Sequence, residues 1–211
     1  MTPTLWGRAS SVNVQKVMWV LAECDIAHRR VDAGGRYGRT DTPDFGAMNP
    51  MRRVPVWQEE GLTLWESHAI VRHLSRGPAA PLWPEAGSEQ ALADQWIDFT
   101  ATTLLPPLIG CFFQTVRLAP ADRSTGALAD HVRALDAALD ILDARLGQSA
   151  WVAGPGLSIA DGVAGSGMYR YFTMDIPRPN RPALADWYDR LAARPAYRKV
   201  FMTSYEELRS T

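Results

Sequence analysis

The chain has 211 residues, 46% of them hydrophobic, and its 22 Lys plus Arg against 23 Asp plus Glu leave a formal charge of -1. That apolar content supports a packed core in one large or two modest domains and argues against disorder, while the balanced charge leaves no long-range field for nucleic acid or an anionic membrane surface, so an anionic ligand must be held by local groups. Two distant cysteines, Cys24 and Cys111, and four histidines without ligand spacing, His68 and His73 being the nearest pair, exclude a CxxC redox motif and leave no metal site to expect.

Thr4 to Trp6 is a short apolar run before Gly7, and Val14, Val17, Met18, Leu21 and Ala22 then repeat at helical spacing, so the chain opens as strand, loop and helix. His28 to Asp32 is a candidate second strand. Thr42-Pro43-Asp44 starts a short second helix running to about Met48, with Thr at the cap and Pro at the first helical position. Val54 to Gln58 and Leu62 to Trp65 are strand-like around Glu60-Gly61, which suits a hairpin turn. Ser67 is then read as the cap of a third helix carrying Ile70, Val71 and Leu74 on one side. The order strand, helix, strand, helix, strand, strand, helix is that of a thioredoxin-like domain, a mixed sheet covered by helices.

Gly77 to Ser88 is rich in proline and glycine and reads as a linker, which places a sheet domain over 1–77, a linker over 78–87 and a second domain over 88–211. No strand-like alternation follows. Ala91 to Leu105 is helix-like up to Pro106-Pro107, and a further helix is expected to hold Phe112 and Phe113. Leu128, Val132, Leu135, Leu139, Leu142 and Leu146 step by four and three residues before Gly147, a buried helix seam with a glycine stop. Ser158-Ile159-Ala160-Asp161 has the spacing of a capping box, a folding device. Gly162, Gly165 and Gly167 weaken the helix that follows by roughly 1 kcal/mol each relative to alanine, so one face of it is expected to press on a neighbour. Pro182 to Ala193 and Pro195 to Phe201 complete an all-helical bundle. The opening Met1 to Ser10 has no apolar stretch of signal-peptide length and no later window approaches about 18 uninterrupted apolar residues, so no membrane association and a cytoplasmic setting are expected.

Three places carry candidate chemistry. Arg8 to Asn13 joins the first strand to the first helix, where free N–H groups and the positive end of the helix dipole favour a thiolate; Ser11, or the amide of Asn13, either donates a hydrogen bond to that sulfur or merely caps the helix. In Arg53-Val54-Pro55-Val56 the residue before proline is held extended, so Val54 can offer its N–H and C=O to an extended peptide. At Glu66-Ser67 the serine and its neighbouring N–H groups suit a carboxylate and the glutamate an ammonium group, the zwitterionic end of an amino acid, unless the pair is an ordinary cap preceded by a surface acid. All three fall at the ends of elements of one sheet. Together they describe one tripeptide: a free γ-glutamyl end, a cysteine backbone and a thiol.

Leu5 to Glu23, Asn49-Pro50 with Arg53-Val54-Pro55-Val56, Trp65 to Ile70 and Ser158 to Asp161 resemble the cytosolic glutathione transferases over nearly the whole chain, in particular bacterial members of the serine type, theta- or nu-like. The resemblance implies a cis Pro55, glutathione held across Arg53, Val54, Glu66 and Ser67 as co-substrate without metal or nucleotide, and a homodimer with a detoxifying activity: transfer of the glutathione thiolate to a small, largely apolar electrophile. Arg52 stands where the family usually has glycine, leaving a contact to the glycyl carboxylate or plain solvation open. No tyrosine or cysteine occupies the early catalytic position, which is similar to serine-type members and unlike Cys-dependent, omega-like reductases. Among Ser10, Ser11 and Asn13, Ser11 is chosen as the thiol's partner with Asn13 in support, and Trp6, Phe112, Phe113 and Tyr169 are candidate walls for the second substrate. A glutathione-dependent disulfide reductase or peroxidase, and a non-catalytic binding protein, are the rival functions.

Overall fold

The computed structural model describes residues 2–85 and 87–210. Four strands, β1 (Thr4–Trp6), β2 (Arg29–Val31), β3 (Val56–Glu59) and β4 (Leu62–Trp65), form one sheet in the order β2-β1-β3-β4. β1 runs parallel to β2 and antiparallel to β3, with Leu5 opposite Arg30 on one side and Trp57 on the other. The parallel pair requires a crossover, and helix α1 (Val12–Glu23) supplies it. Helix α2 (Pro43–Met48) starts as its sequence predicts, with the Thr42 hydroxyl accepting from the Phe45 N–H at 3.2 Å. Helix α3 (Ser67–Ser75) follows β4 and packs beside α1.

Two expectations need correction. β3 begins at Val56 rather than Val54, because the Val54–Pro55 pair turns the chain before pairing starts. Pro106 and Pro107 do not end a helix: α4 (Gly87–Phe99) passes through a π-helical stretch at Thr100–Leu104 into α5 (Leu105–Phe112), and a second π stretch follows at Phe113–Arg117. The wider turn resets the hydrogen-bond ladder, so both prolines stand in the first turn of α5, where their missing N–H groups cost little. By length and composition this continuous helix, Gly87–Arg117, would suffice to cross a bilayer; Ile97, Leu104, Leu108, Cys111 and Phe112 on it lie instead in the protein's core.

Helix α6 (Thr125–Leu146) presents the leucine seam, with Leu135, Leu139, Leu142 and Leu146 buried. The glycine-rich helix α7 (Ile159–Gly165) stops before Gly167, and a short α8 (Met168–Thr173) succeeds it; α9 (Pro182–Ala192) and α10 (Pro195–Phe201) close the chain. Gly162 and Gly165 of α7, and Gly167 just beyond it, are points of close approach. A Cβ at Gly162 would lie 2.0 Å from the Trp19 ring of α1, one at Gly165 2.7 Å from Leu191, and one at Gly167 2.8 Å from Leu108. Trp19 is fully buried there, so the first helix of the sheet half is seated directly on the backbone of α7. Gln15 reinforces this seat by donating to Val200 O and Thr203 Oγ1 of the C-terminal segment, at 3.0 and 3.1 Å.

Candidate functional site

Past β1 the chain continues its parallel pairing for two residues, Gly7 N–H donating to Val31 O and Arg8 N–H to Ala33 O at 2.8 and 3.0 Å. A Cβ at Gly7 would lie 2.4 Å from Val14 and 3.3 Å from Val54, so only glycine lets the end of β1, the start of α1 and the Val54 loop converge. Ser11 then occupies the N-cap of α1, with φ -81° and ψ 122°, yet its hydroxyl makes no bond to the helix. Ser11 is half-buried, its hydroxyl has no hydrogen-bond partner among the described residues, and with Phe112, Phe113 and Arg117 it lines a cavity of about 130 Å³ between the sheet half and the helices. The neighbouring Ser10 is buried, its hydroxyl unpartnered and its carbonyl accepting from Arg170 Nη2 at 2.8 Å.

Asn13 is the second residue of α1 and half-buried, and its Oδ1 accepts from Lys16 Nζ at 3.0 Å. Lys16 was not singled out in the sequence, where it reads as an ordinary charge on an amphipathic helix. It is 1% exposed, and its Nζ also lies 2.8 Å from His68 Nε2 in the first turn of α3. Asn13, Lys16 and His68 thus bridge the N-terminal turns of α1 and α3. Burial lowers the Lys16 pKa to about 7, against the opposing pull of Glu66. Burial, then Lys16 and Arg72, lowers that of His68 to about 3. The imidazole is therefore neutral at pH 7, and Lys16 donates to it as an ammonium below about pH 7. A lysine whose folded pKa lies below its unfolded value sheds its proton earlier in the native state, so stability rises with pH between the folded value near 7 and the unfolded 10.5. Urea unfolding at steps from pH 6 to 10 should show the native chain gaining stability relative to Lys16→Met, by up to about 1.4 kcal/mol per pH unit where the slope is steepest. Parallel curves for the two proteins would rule out a charge buried at this position.

The loop before β3 is organised by Asn49, whose Nδ2 donates to Arg53 O at 2.7 Å and whose Oδ1 accepts from Met51 N–H at 2.9 Å. Val54–Pro55 is cis, as the resemblance implies, and the Val54 main-chain groups stay unpaired among the described residues. Arg53 is exposed. Arg52 is exposed, and at φ 52° it folds back so that Nη1 donates to Thr40 O and Thr42 O at 3.3 and 3.0 Å, over the bare backbone of Gly46.

At the start of α3 the cap is Glu66, and Ser67, expected at the cap, is the first helical residue and buried. Glu66 is exposed at φ 68° and ψ 114°, a conformation that costs of order 1–3 kcal/mol for a residue with a side chain. It turns the chain from β4 into α3 within one residue, leaving the first N–H groups of α3 without helical partners. Of the four candidate wall residues, Phe112 and Phe113 line the cavity. Trp6 packs against the separate small cluster of Ala33, Phe45 and Val56 and donates to Gln58 Oε1 at 2.7 Å. Tyr169 stands one ring behind the cavity, 6.2 Å from Tyr205, which in turn lies 5.3 Å from Phe112. Neither cysteine is activated: burial raises the Cys24 pKa and pushes that of Cys111 to about 11.

Comparison with known proteins matches this geometry to a family on both halves of the chain. Residues 1–76 match the model described as glutathione S-transferase, N-terminal domain, and residues 98–195 the corresponding C-terminal domain. Glutathione S-transferase GstB of Escherichia coli strain K12 is 36% identical over 202 residues, 94% of this chain and 97% of that protein. Glutathione S-transferase 4 of Zea mays is 31% identical over 93% of this chain and 90% of its own length. The structure of the theta class glutathione S-transferase from Xanthomonas axonopodis pv. citri with glutathione bound superposes with a TM-score of 0.93 at 38% identity, covering 96% of this chain and 98% of that one. With a four-stranded sheet leading into a helical bundle, a cis proline before β3 and both family models matched, the chain belongs to the glutathione S-transferase family.

Proposed function

We propose that this protein is a glutathione transferase in which Ser11 activates the thiol and the cavity beside it receives an electrophile. The observation that carries the reading is the Ser11 hydroxyl, without a hydrogen-bond partner among the described residues, at the N-terminus of α1 and on the rim of an interdomain cavity. The tripeptide lies along the sheet end. Its γ-glutamyl ammonium pairs with Glu66 and its α-carboxylate with the Ser67 hydroxyl and the first N–H groups of α3; its cysteine main chain pairs with Val54 as an added strand, with Arg53 near the glycyl end. Ser11 donates to the sulfur, with Asn13 in support, which lowers the thiol pKa and leaves a thiolate to attack an electrophilic carbon held close by. No metal or nucleotide takes part. The unit is read as a sheet domain over 1–77 and a helical domain over 88–211 joined by 78–87, acting in detoxification in the cytoplasm as a homodimer. Exposed Met51 and Trp65 offer apolar surface for a subunit contact.

Isothermal titration with reduced glutathione tests the binding site. Micromolar to low-millimolar affinity is expected, abolished by Glu66→Ala combined with Ser67→Ala. No heat of binding to the native chain would end the enzyme reading.

A further inference from the structure

The cavity beside Ser11 is cationic in a way that the proposed chemistry does not use. Three arginines from three different segments meet there: Arg8 before α1, Arg117 at the end of the second π stretch, and Arg170 on α8. Arg170 is only 6% exposed; its guanidinium donates to the Ser10 carbonyl, and its guanidinium carbon lies 4.6 Å from the Phe112 ring centroid. Arg8 lies along Gly34 and Gly35 with its Nε buried and unpartnered. Arg117 sits 5.6 Å from the Phe113 ring centroid. None of the three forms an ion pair among the described residues, and Glu207, an acid that acts on Arg8, is paired with Arg36 at 3.1 Å. Like charges gathered without a counter-ion repel one another: Arg170 is lowered to about 10 by burial, with Arg8 the next cause and Arg117 a lesser one. Burying guanidinium groups unpaired is costly unless something anionic arrives to share them. Beside Ser10 and Ser11, the remaining walls, Val12, Ile109, Phe112, Phe113 and Leu208, are apolar.

We infer that the second substrate is a small electrophile with an apolar body and a carboxylate or similar anionic group, and that Arg8, Arg117 and Arg170 select it by holding that group beside the glutathione sulfur. This rests on the transferase reading above and narrows its substrate from largely apolar to anionic. A planar guanidinium fork matches a carboxylate, and the burial of Arg170 strengthens such a pairing.

The test compares two aryl chlorides that differ only in charge, 4-chloro-3-nitrobenzoate and 4-chloro-3-nitrobenzamide. In each the thiolate bonds to the ring carbon bearing chlorine, the C–S bond forms, the C–Cl bond breaks and chloride leaves with its electron pair, the thiol proton having gone to solvent. The reading is the ratio of kcat/KM for the two, each divided by its uncatalysed rate constant with glutathione, alongside the glutathione Kd by titration. At least a tenfold preference for the benzoate is expected, with Arg117→Gln and Arg8→Gln each lowering it fivefold or more and Arg117→Lys retaining part of it. Arg170 is too buried for a safe first variant. If glutathione fails to bind the native chain, the transferase reading falls first and this inference with it. If glutathione binds but the ratio stays near one, neither chloride is turned over, or the arginine variants change the glutathione Kd and not the ratio, the inference alone is overturned.

Discussion

Asp161→Ala should cost about 4 kcal/mol of folding stability, measured by urea unfolding at pH 7. Its carboxylate is fully buried and accepts four hydrogen bonds: Val152 N–H at 2.9 Å and Trp187 Nε1 at 3.0 Å on one oxygen, Ser158 N–H at 2.9 Å and Ser158 Oγ at 3.0 Å on the other. The side chain therefore ties three segments together: the start of α7, the loop after α6, and α9. Truncation removes every acceptor at once and leaves two main-chain donors and an indole N–H buried, each an unsatisfied group worth about 1–3 kcal/mol. These penalties overlap because relaxation or an entering water relieves some of them, which is why the expected total lies well below their sum. Asp161→Asn keeps one acceptor oxygen and turns an NH2 toward donors, so it should lose more than half as much. A loss under about 1 kcal/mol for the alanine variant would show that these hydrogen bonds are readily replaced by solvent. Because α7 is also the seat of Trp19, the loosening should reach the α1 side of the cleft, and glutathione binding should weaken together with stability.

The sequence made the sheet half legible in detail and the helical half only in outline, for physical reasons that particular residues display. Short strands between glycines and a Thr-Pro helix start are local signals, and they survive folding because each is satisfied within a few residues. Gly162, Gly165 and Gly167 also announced a close approach, but nothing local says that Trp19, over 140 positions earlier, fills the space at Gly162. Pro106-Pro107 misled because a π-helical turn is invisible to hydrophobic periodicity. Ser67 misled because a cap is ordinarily a small polar residue, whereas here Glu66 takes a left-handed conformation to turn the strand sharply into the helix. Lys16 and the three arginines escaped for a related reason. Charge on an amphipathic pattern is read as solvated, and only the tertiary arrangement removes the water. Local sequence favoured a plain cap at Ser11 over a partner for the thiol; in the structure Ser11 holds the cap position but its hydroxyl makes no bond to the helix.

Ser11→Ala should reduce kcat/KM roughly ten- to hundredfold with any electrophile the protein accepts, while leaving the glutathione Kd nearly unchanged. A hydrogen bond to a charged acceptor is worth about 1.5–3 kcal/mol, and tenfold in rate corresponds to about 1.4 kcal/mol. The same bond sets the pH dependence. Donation to the sulfur stabilises thiolate over thiol, so its loss moves the bound thiol's pKa up toward about 8.5, the unperturbed cysteine value. At pH 6 the native protein then holds far more thiolate than the variant; at pH 9 both hold mostly thiolate, so the rate difference should shrink as pH rises. Ser10→Ala should change the rate less than threefold, because its hydroxyl is buried and its structural contact is the main-chain carbonyl, which alanine keeps. Asn13→Ala should fall between them, since its oxygen is engaged by Lys16 and reaches the sulfur's surroundings only through the amide N–H groups. A thiolate absorbance titration of the bound complex separates these cases directly. If Ser11→Ala leaves the bound thiol pKa in place and Ser10→Ala raises it, the thiol's partner is Ser10 and the hydroxyl left free at the cap of α1 serves another purpose.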